Sequence, residues 1–371
     1  MNGKANIMRS KLVILVFSII IGCVFILSLF IEPPTILKSE RRVPAKMPVL
    51  STRTVASAEF MDKFENYAAD SLPFRESLRT LHSISTFGLF MQTDKNGLYM
   101  DSHGVGKFKQ IDIKSVEQLQ SIIISIANGL DDINVYYSFI PDKSIYSENN
   151  LPGYDPALIE HLFIRNPEMA KYKFINLFEA LNQTSFYSSD LHWNQVNLID
   201  VLSKLSEEMG FTTDINQYIK EYAGEFQGVY AGQLALPIST DSMYYLSCLS
   251  ISAMYLNVKE MKMEEAPVYD LDKFTGLDSY DIFLSGAQPL VIIENKTVST
   301  DKELYLFRDS FSSSLAPLLA NAYSKVILID LRYIDLRTLN QLIEFNSGSD
   351  ALFLYSSLVL NNADMLFVNT P

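Results

Sequence analysis

The C-terminal third of the chain alternates between apolar runs of strand length and stretches with helical spacing, and few folds accommodate this alternation. Strands are predicted over Glu303–Phe307, Lys325–Asp330 and Ala351–Leu360. Helices are predicted between them, over Phe311–Tyr323 and Leu336–Phe345. Continuous apolar runs are typical of parallel strands that are buried on both faces. The order strand, helix, strand, helix, strand therefore predicts an α/β domain with a doubly wound parallel sheet.

The preceding part of the chain carries weaker signals of the same kind. Apolar residues from Ser57 to Met91 recur at three- and four-residue spacing, which predicts an amphipathic helix. Pro73 interrupts the pattern, and a second helix is predicted over Arg75–Phe90. Three further elements are predicted, namely strands around Gly97–Met100 and Asn134–Ile140 and a helix over Val116–Leu130.

The N-terminus carries an apolar run, Leu12–Ile31, that contains no charged side chain. At about 1.5 Å per residue this run forms a helix of roughly 30 Å, which is long enough to cross the hydrocarbon core of a membrane. Lys4, Arg9 and Lys11 precede it and favour a cytoplasmic N-terminus. Basic residues also follow the run, but long domains are translocated largely regardless of their charge.

This pattern predicts a single-pass protein of the cell membrane. The predicted parts are a cytoplasmic tail (1–11), a transmembrane signal-anchor helix (12–31), a linker (32–50) and an extracytoplasmic domain (51–371). A cleaved signal peptide would need a small-residue cleavage site, and none follows Ile31. Cys23, after Ile-Ile-Gly, is similar to a lipoprotein acylation site, but the residues that follow it stay apolar.

The composition excludes several classes of protein. With 48% hydrophobic and 12% aromatic residues, the chain can bury a large core and is not expected to be disordered. The net charge is -13, whereas nucleic acid binding requires clustered Lys and Arg. The two cysteines, Cys23 and Cys248, make neither a disulfide framework nor a cysteine-rich metal site.

Ser310 lies where a predicted strand gives way to a predicted helix. In open α/β sheets, ligands bind at the carboxyl ends of strands. Backbone N–H groups at the start of the following helix can stabilise a developing oxyanion. Ser310 is therefore a candidate nucleophile, although a serine at such a position is more often only a helix N-cap.

Asp190 and His192 lie two residues apart, and Trp193, the only tryptophan, follows them. In extended backbone, side chains two residues apart project to the same side. An imidazole can take the proton of a serine hydroxyl, and a carboxylate on its other nitrogen fixes the tautomer. The pair is a candidate base and orienting acid, although His192 could equally be a structural histidine. Trp193 would line the site or fill the core.

The other histidines have no catalytic companion in the sequence. His82 and His161 fall in predicted helices, and His103 falls in a polar turn. Their spacing from His192 is not that of a metal site, so no metal is predicted. No cofactor is predicted either.

The segment Phe186–Trp193, FYSSDLHW, resembles the signature of the bacterial DHHW protein family. That family is related to the alginate O-acetylation proteins of the AlgX/AlgJ type, whose SGNH-hydrolase-like domains carry Asp-x-His-Trp. The chain is similar to the family from about residue 55 onward. The other similar segments are Pro141–Tyr146 with Leu151–Pro152 after it, Tyr280–Gly286, Asp309–Phe311 and Val326–Tyr333.

The resemblance implies a permuted SGNH-like domain in which Ser310 is the nucleophile, His192 the base and Asp190 its orienting partner. Two positions depart from the family pattern. Leu191 replaces the first histidine of Asp-His-His-Trp, and Arg308 replaces the glycine of Gly-Asp-Ser. The triad residues themselves are retained.

The usual oxyanion asparagine of a Gly-x-Asn-Asp block is missing, and Tyr355-Ser356-Ser357 stands near its place. The N–H groups of Ser310 or Phe311 are candidate oxyanion donors instead. The candidate groups for binding substrate or the oxyanion are therefore Phe311, Trp193, Arg332 and Tyr333.

The resemblance implies an O-acetyltransferase or O-acetylesterase that acts on a cell-surface polysaccharide through an acetyl-serine. Acetyl-CoA is cytosolic, so transfer would require a multipass acyltransferase of the MBOAT type as the acetyl donor. The alternative is a non-catalytic scaffold that binds glycan through the old active-site groove. The lost asparagine and Arg308 favour the scaffold, and the retained Ser, His and Asp favour the enzyme.

Overall fold

The computed structural model of the chain describes residues 2–30, 34–147 and 155–367. Ile31, at the end of the predicted membrane segment, and Leu151–Pro152, of the family segment, lie outside the described residues. The chain divides into two compact units. The first unit comprises Met1–Lys95 with Gly232–Pro237, and the second comprises Asn96–Ala231 with Ile238–Pro371.

The first unit is helical. Helix α1 spans Asn2–Phe30, and its segment Met8–Ser28 is long and apolar enough to cross a membrane, with a mean hydropathy of 2.7. A signal sequence near the N-terminus can meet the same criteria of length and hydropathy, so this helix alone does not place the rest of the chain. The other elements of the unit are α2 (Thr52–Ala56), α3 (Glu59–Asp70), α4 (Arg75–Ile84), the π-turn Ser85–Leu89 and the short strand β1 (Asp94–Lys95).

Helices α3 and α4 lie on either side of Pro73, so the interrupted amphipathic pattern is confirmed. The segment predicted to be a linker is not featureless, because Lys38–Glu40 form a 3-10 helix. Arg42 joins this segment to the end of α3, since its guanidinium donates to both carboxylate oxygens of Asp70 at 2.6 Å. Such a bidentate pair fixes the geometry of both side chains.

The second unit is built on a sheet of eight strands in the order β5-β4-β13-β11-β12-β10-β8-β9. Their bounds are β4 (Asn134–Ile140), β5 (Lys173–Phe174), β8 (Ile251–Asn257), β9 (Lys262–Ala266), β10 (Leu290–Asn295), β11 (Glu303–Arg308), β12 (Lys325–Ile329) and β13 (Asp350–Ser356). Two hairpins accompany the sheet, formed by β2 (Leu98–Asp101) with β3 (Gly104–Lys107) and by β6 (Ile219–Phe226) with β7 (Asp241–Ser247).

The parallel sheet predicted from the sequence is only part of the observed one. Strands β5, β4, β13, β11 and β12 are parallel to their neighbours. By contrast, β10 pairs antiparallel with β12, and β8 and β9 extend this antiparallel side. The fold is therefore mixed α/β. Antiparallel strands tolerate one solvated face, so these three carry less continuous apolar runs than β11 or β12.

Helices cover both faces of the sheet, as the doubly wound prediction requires. Leucines of β11 and β13 pack on one face with α7 (Ile199–Met209) and α9 (Ser312–Leu319). The alternate residues of the same strands pack on the other face with α5 (Ile113–Ala127), α6 (Pro156–Ile164), α10 (Leu336–Leu342) and α11 (Ser357–Leu360). A short helix, α8 (Val229–Leu234), follows β6.

Several predicted boundaries were wrong. Helices α5 and α10 end at Ala127 and Leu342, three residues before the predicted Leu130 and Phe345. The strand predicted over 351–360 ends at Ser356, and its last four residues form α11. A short apolar run does not distinguish a buried strand from a buried helix, which explains this error. The helix predicted to reach Tyr323 ends at Leu319. Strand β4 has the predicted bounds, and β11 and β12 differ from them by one residue.

The central strand β11 should dominate the stability of the second unit. Leu306 is fully buried in it. We expect Leu306→Ala to lower the free energy of unfolding by about 2–5 kcal/mol, because it leaves a cavity in a packed core. Urea unfolding of the full-length protein in detergent, followed by the fluorescence of the buried Trp193, measures this change. Leu249→Ala is the control, since Leu249 is 99% exposed, and a loss equal to that of Leu306→Ala would contradict the assignment of the core.

Candidate active site

Ser310 is presented by a sharp strand-to-helix junction. Strand β11 ends at Arg308, and the N–H groups of Ser312 and Ser313 already donate to the carbonyls of Asp309 and Ser310, at 3.3 and 3.1 Å. The chain therefore turns into α9 (Ser312–Leu319) within two residues of Ser310. Ser310 is partly exposed, while Asp309 and Phe311 on either side of it are buried. The turn thus brings one hydroxyl to the carboxyl end of the sheet.

Asp190 and His192 lie on an irregular loop that closes on itself. The N–H of Tyr187 donates to the carbonyl of His192 at 3.1 Å, and Phe186 pairs with Trp193 in an isolated bridge. Within this loop, Asp190 Oδ1 lies 2.7 Å from His192 Nδ1 and also accepts from the His192 N–H at 3.1 Å. One carboxylate oxygen therefore fixes both the backbone and the ring of His192.

The other ring nitrogen faces Ser310. His192 Nε2 lies 2.9 Å from Ser310 Oγ. With the Nδ1 proton donated to Asp190, Nε2 is the acceptor for the serine hydroxyl. The structure thus brings together the three residues predicted from the sequence, although His192 and Ser310 are 118 positions apart in the chain. A hydroxyl, an imidazole and a carboxylate in this order can activate the hydroxyl as a nucleophile.

Aromatic rings hold the imidazole in place. Tyr280 stacks on His192 with ring centroids 3.8 Å apart and an angle of 6° between the planes. The Phe311 ring lies 5.0 Å away at a tilt. The Tyr280 hydroxyl donates to Ser314 Oγ at 2.7 Å, and burial raises the pKa of Tyr280 well above its usual value. Tyr280 therefore stays neutral, and its ring keeps a fixed position against the His192 imidazole.

The loop is held from one side by the ammonium group of Lys143. Lys143 is almost completely buried, and its Nζ donates to the carbonyls of Tyr187, Ser188 and Asp190 at 2.9, 3.2 and 2.9 Å. These three bonds use all the donors of an ammonium group. Burial lowers the pKa of Lys143 to about 8, and the nearest carboxylate, that of Asp190, opposes this shift.

Asp241 holds the same loop by accepting hydrogen bonds from N–H and hydroxyl groups of the loop. Its Oδ1 accepts from the N–H and hydroxyl of Ser188, both at 2.8 Å, and its Oδ2 accepts from those of Ser189, at 2.7 and 2.5 Å. The cationic Lys143 and the anionic Asp241 thus bind neighbouring peptide groups of the loop. Asp241 is partly buried, and a carboxylate that accepts four hydrogen bonds is well compensated for its desolvation.

Close backbone approach completes the support of Asp190. Val229 N–H donates to Asp190 Oδ2 at 2.8 Å, and Gly228 N–H donates to Ser189 Oγ at 2.8 Å. A Cβ at position 228 would lie only 2.3 Å from the carbonyl of Ser189. Glycine is therefore required at position 228, because any side chain would push away the peptide that carries Asp190.

The candidate substrate groups have other partners. The indole N–H of Trp193 donates to the Phe311 carbonyl at 2.8 Å and to Ser314 Oγ at 2.9 Å, so Trp193 fills the core instead of lining the site. The Phe311 N–H donates to Asp309 Oδ1 at 3.1 Å. It is therefore not free to bind an oxyanion, which corrects one of the two backbone donors predicted from the sequence.

The remaining candidates follow the neighbouring strand β12. Arg332 is bound to Asp330, with N–O distances of 2.8 and 2.6 Å. Tyr333 is half-exposed, and its ring lies 5.4 Å from the Arg332 guanidinium. Both lie after the carboxyl end of a strand that pairs with β11. Among the residues that the structure describes, no three His, Cys, Asp or Glu side chains are grouped as metal ligands.

Sequence reasoning missed the residues that support the site. Asp241 carried no signal, because a single aspartate at the start of a strand is indistinguishable from a surface residue. Lys143 and Tyr280 lie in segments that resemble the family, and this resemblance was the only hint of their importance. Asp309 was identified only as part of the serine block, yet its Oδ2 also accepts from the N–H of Ser356 at 2.7 Å.

Because of Lys143, the free energy of unfolding should depend on pH in the alkaline range. Its pKa is about 8 in the folded protein and 10.5 when unfolded. Between these values the unfolded state binds a proton that the folded state does not, so the free energy of unfolding rises with pH. We expect the stability of the wild type relative to Lys143→Met to increase by up to about 3 kcal/mol from pH 8 to 10.5.

Urea unfolding at several pH values tests this expectation. Lys114→Met, at an exposed position of α5, is the control and should follow the wild type at every pH. A constant difference between the wild type and Lys143→Met across this window would show that Lys143 keeps its proton.

Comparison with known proteins identifies solved structures that are similar to this chain. No family model and no curated protein matches the sequence. A structure of Bacillus cereus PatB1 with a sulfonyl adduct is similar with a TM-score of 0.56 at 16% identity, over 71% of this chain and 95% of PatB1. The O-acetyltransferase domain of Pseudomonas putida AlgJ reaches a TM-score of 0.41 at 12% identity, over 72% of this chain and 93% of that domain, which is too low to infer a shared fold.

A DHHW family protein from Eubacterium siraeum is similar with a TM-score of 0.55 at 16% identity. The match covers 73% of this chain and 95% of that protein. Sequence identity this low establishes a common fold and nothing finer. The resemblance to the DHHW family expected from the sequence is thus confirmed at the level of the fold, which this chain shares with the Eubacterium siraeum protein and with PatB1.

Proposed function

We propose that the chain is a membrane-anchored, extracytoplasmic, SGNH-like O-acetyltransferase or O-acetylesterase that acts on a cell-surface polysaccharide. One observation carries the proposal, namely the chain of hydrogen bonds from Asp190 through His192 to Ser310, at 2.7 and 2.9 Å. An N-cap serine does not need an imidazole at this distance. The buried carboxylate behind the imidazole gives His192 the orientation of a general base.

In the first half-reaction, Ser310 Oγ attacks the carbonyl carbon of the acetyl donor while its proton passes to His192 Nε2. Asp190 stabilises the resulting imidazolium. The carbonyl oxygen carries the negative charge of the tetrahedral intermediate. Within the described part of the chain nothing accepts a hydrogen bond from the Ser310 N–H, so this N–H is available to the oxyanion. Collapse expels the donor alcohol, which takes the proton from His192.

In the second half-reaction, a sugar hydroxyl or water attacks the acetyl-serine and gives its proton to His192. Collapse then returns the proton to Ser310 Oγ and releases the acetylated sugar or acetate. Transfer and hydrolysis differ only in whether water reaches the ester. The residues of the chain suffice for both steps. For transfer, a multipass acyltransferase of the MBOAT type would supply acetyl groups from the cytosol.

The order of the residues supports a permuted SGNH arrangement. Asp190 and His192 precede the serine strand β11 in the chain, and β12 and β13, which follow β11, flank it on either side in the sheet. The parallel strands therefore surround Ser310 although the loop that carries the base comes earlier in the chain. We propose that this permutation brings the serine at the carboxyl end of β11 next to the loop of Asp190 and His192, which is remote from it in the chain.

Reactivity of Ser310 is the direct test of the function. The PatB1 structure contains a sulfonyl adduct, and we expect a sulfonyl fluoride to modify the full-length protein, in detergent, at Ser310. Ser310→Ala should abolish this labelling and lower the hydrolysis of a chromogenic acetyl ester at least about 10³-fold. Peptide mass spectrometry locates the adduct, and ester hydrolysis gives kcat and KM.

Ser121→Ala is the matched control, because Ser121 is an exposed serine of α5. It should react like the wild type. Equal labelling and hydrolysis by Ser310→Ala and the wild type would reject the catalytic proposal, and the non-catalytic glycan-binding scaffold would then be favoured.

The membrane anchor is a separate proposal. It is supported by the apolar helix Met8–Ser28, with its basic residues on the N-terminal side. We expect the protein to sediment with membranes, to resist extraction by alkaline carbonate, and to be cleaved by protease added to intact protoplasts. Recovery of a shorter mature chain in the medium would identify a cleaved signal sequence and reject the anchor.

A further inference from the structure

Several buried polar atoms near the carboxyl edge of the sheet have no hydrogen-bond partner among the described residues. They are Arg308 Nε, Ser312 Oγ, Tyr355 Oη and Ser356 Oγ. An unpaired buried polar atom destabilises the folded protein. Such atoms are rare in folded proteins, and each one requires an explanation.

Strand pairing and the Asp309 carboxylate bring Ser356 close to the turn that carries Ser310. Strands β11 and β13 are parallel neighbours, and their last register pair is Arg308 with Leu354. Ser310 follows Arg308 by two residues, in the turn beyond the end of β11, and Ser356 follows Leu354 by two residues, at the end of β13. Adjacent strands lie about 4.8 Å apart. Asp309 joins the two segments, because its Oδ1 accepts from the Phe311 N–H and its Oδ2 from the Ser356 N–H at 2.7 Å.

The Ser356 side chain lies on the face of the sheet that carries the base. Side chains alternate between faces along a strand. Leu352 and Leu354 belong to the core cluster that contains Trp193, the neighbour of His192. Ser356 is two residues beyond Leu354 and therefore shares this face, whereas Tyr355 belongs to the cluster on the opposite face.

The other three unpartnered atoms are less well placed to face Ser310. Tyr355 Oη belongs to the opposite face. Ser312 is two residues after Ser310 in a helical turn, and residues at this spacing do not face each other. The Arg308 guanidinium is already held by the Gln288 carbonyl and by Ser313 Oγ, both at 3.1 Å, and lies 3.7 Å from Asp330.

We infer that the Ser356 hydroxyl is an oxyanion donor and acts together with the N–H of Ser310. The inference rests on the proposed function and names the group that takes the place of the missing asparagine. When Ser310 Oγ attacks, the carbonyl oxygen gains the electron pair of the C=O π bond, and Ser356 donates a hydrogen bond to it without losing its proton. A hydroxyl that has no partner in the resting protein breaks no bond to do this.

Substitution of Ser356 separates a catalytic from a structural role. We expect Ser356→Ala to lower kcat for a chromogenic acetyl ester about 10²-fold, with KM within about twofold of the wild type. The midpoint of thermal unfolding should stay equal or rise, because a methyl group replaces an unsatisfied hydroxyl. Ser356→Thr keeps the hydroxyl and should recover most of kcat. All variants are measured as full-length protein in detergent.

Tyr355→Phe is the matched control. It removes a buried hydroxyl that also lacks a partner, one residue earlier and on the opposite face, and should leave kcat unchanged. Wild-type kcat in Ser356→Ala would overturn the inference, as would a lowered unfolding midpoint or a Ser356→Thr protein as slow as Ser356→Ala. A wild type inert to both ester and sulfonyl fluoride would instead overturn the proposed function, and this inference with it.

Discussion

The arrangement of the site depends on two charges, the buried ammonium of Lys143 and the partly buried carboxylate of Asp241, that hold one irregular loop. The loop that carries Asp190 and His192 has neither a helix nor a long strand to fix it. Lys143 binds three of its carbonyls, and Asp241 binds two of its N–H groups together with two hydroxyls. Each charge would be costly to bury alone. Because the loop supplies all these partners, the desolvation of the two charges is partly offset, and only when the loop has this conformation.

A second link joins this loop to the serine. Trp193 and Tyr280 both donate to Ser314 Oγ, and Trp193 also donates to the Phe311 carbonyl. Ser314 lies on α9, one helical turn after Ser310. The imidazole that Tyr280 covers and the helix that presents Ser310 are therefore fixed to a common point. The 2.9 Å distance between His192 Nε2 and Ser310 Oγ is set by rigid elements on both sides.

The sequence predicted those parts of the fold and site that depend on local patterns. Strands β4, β11 and β12 are runs of buried residues bounded by turns, so their bounds were predicted to within one residue. Asp190 and His192 are neighbours in the sequence, and Ser310 lies at a recognisable strand end. Asp241, by contrast, meets Ser188 across 53 positions. The antiparallel side of the sheet was missed for the same reason, since its pairing depends on distant chain segments.

Arg308 shows why one departure from the family pattern is compatible with the fold. A glycine is required where the backbone has positive φ or where another chain segment approaches closely. Arg308 is instead the last residue of β11, in ordinary strand backbone, so a side chain is permitted there. Its guanidinium is completely buried, and burial lowers the pKa of Arg308. Asp330 lies 3.7 Å from it and carries the compensating charge, while Arg332 holds Asp330 from the other side. Arg308 therefore adds a buried ionic group next to the serine turn while the end of β11 keeps ordinary strand backbone.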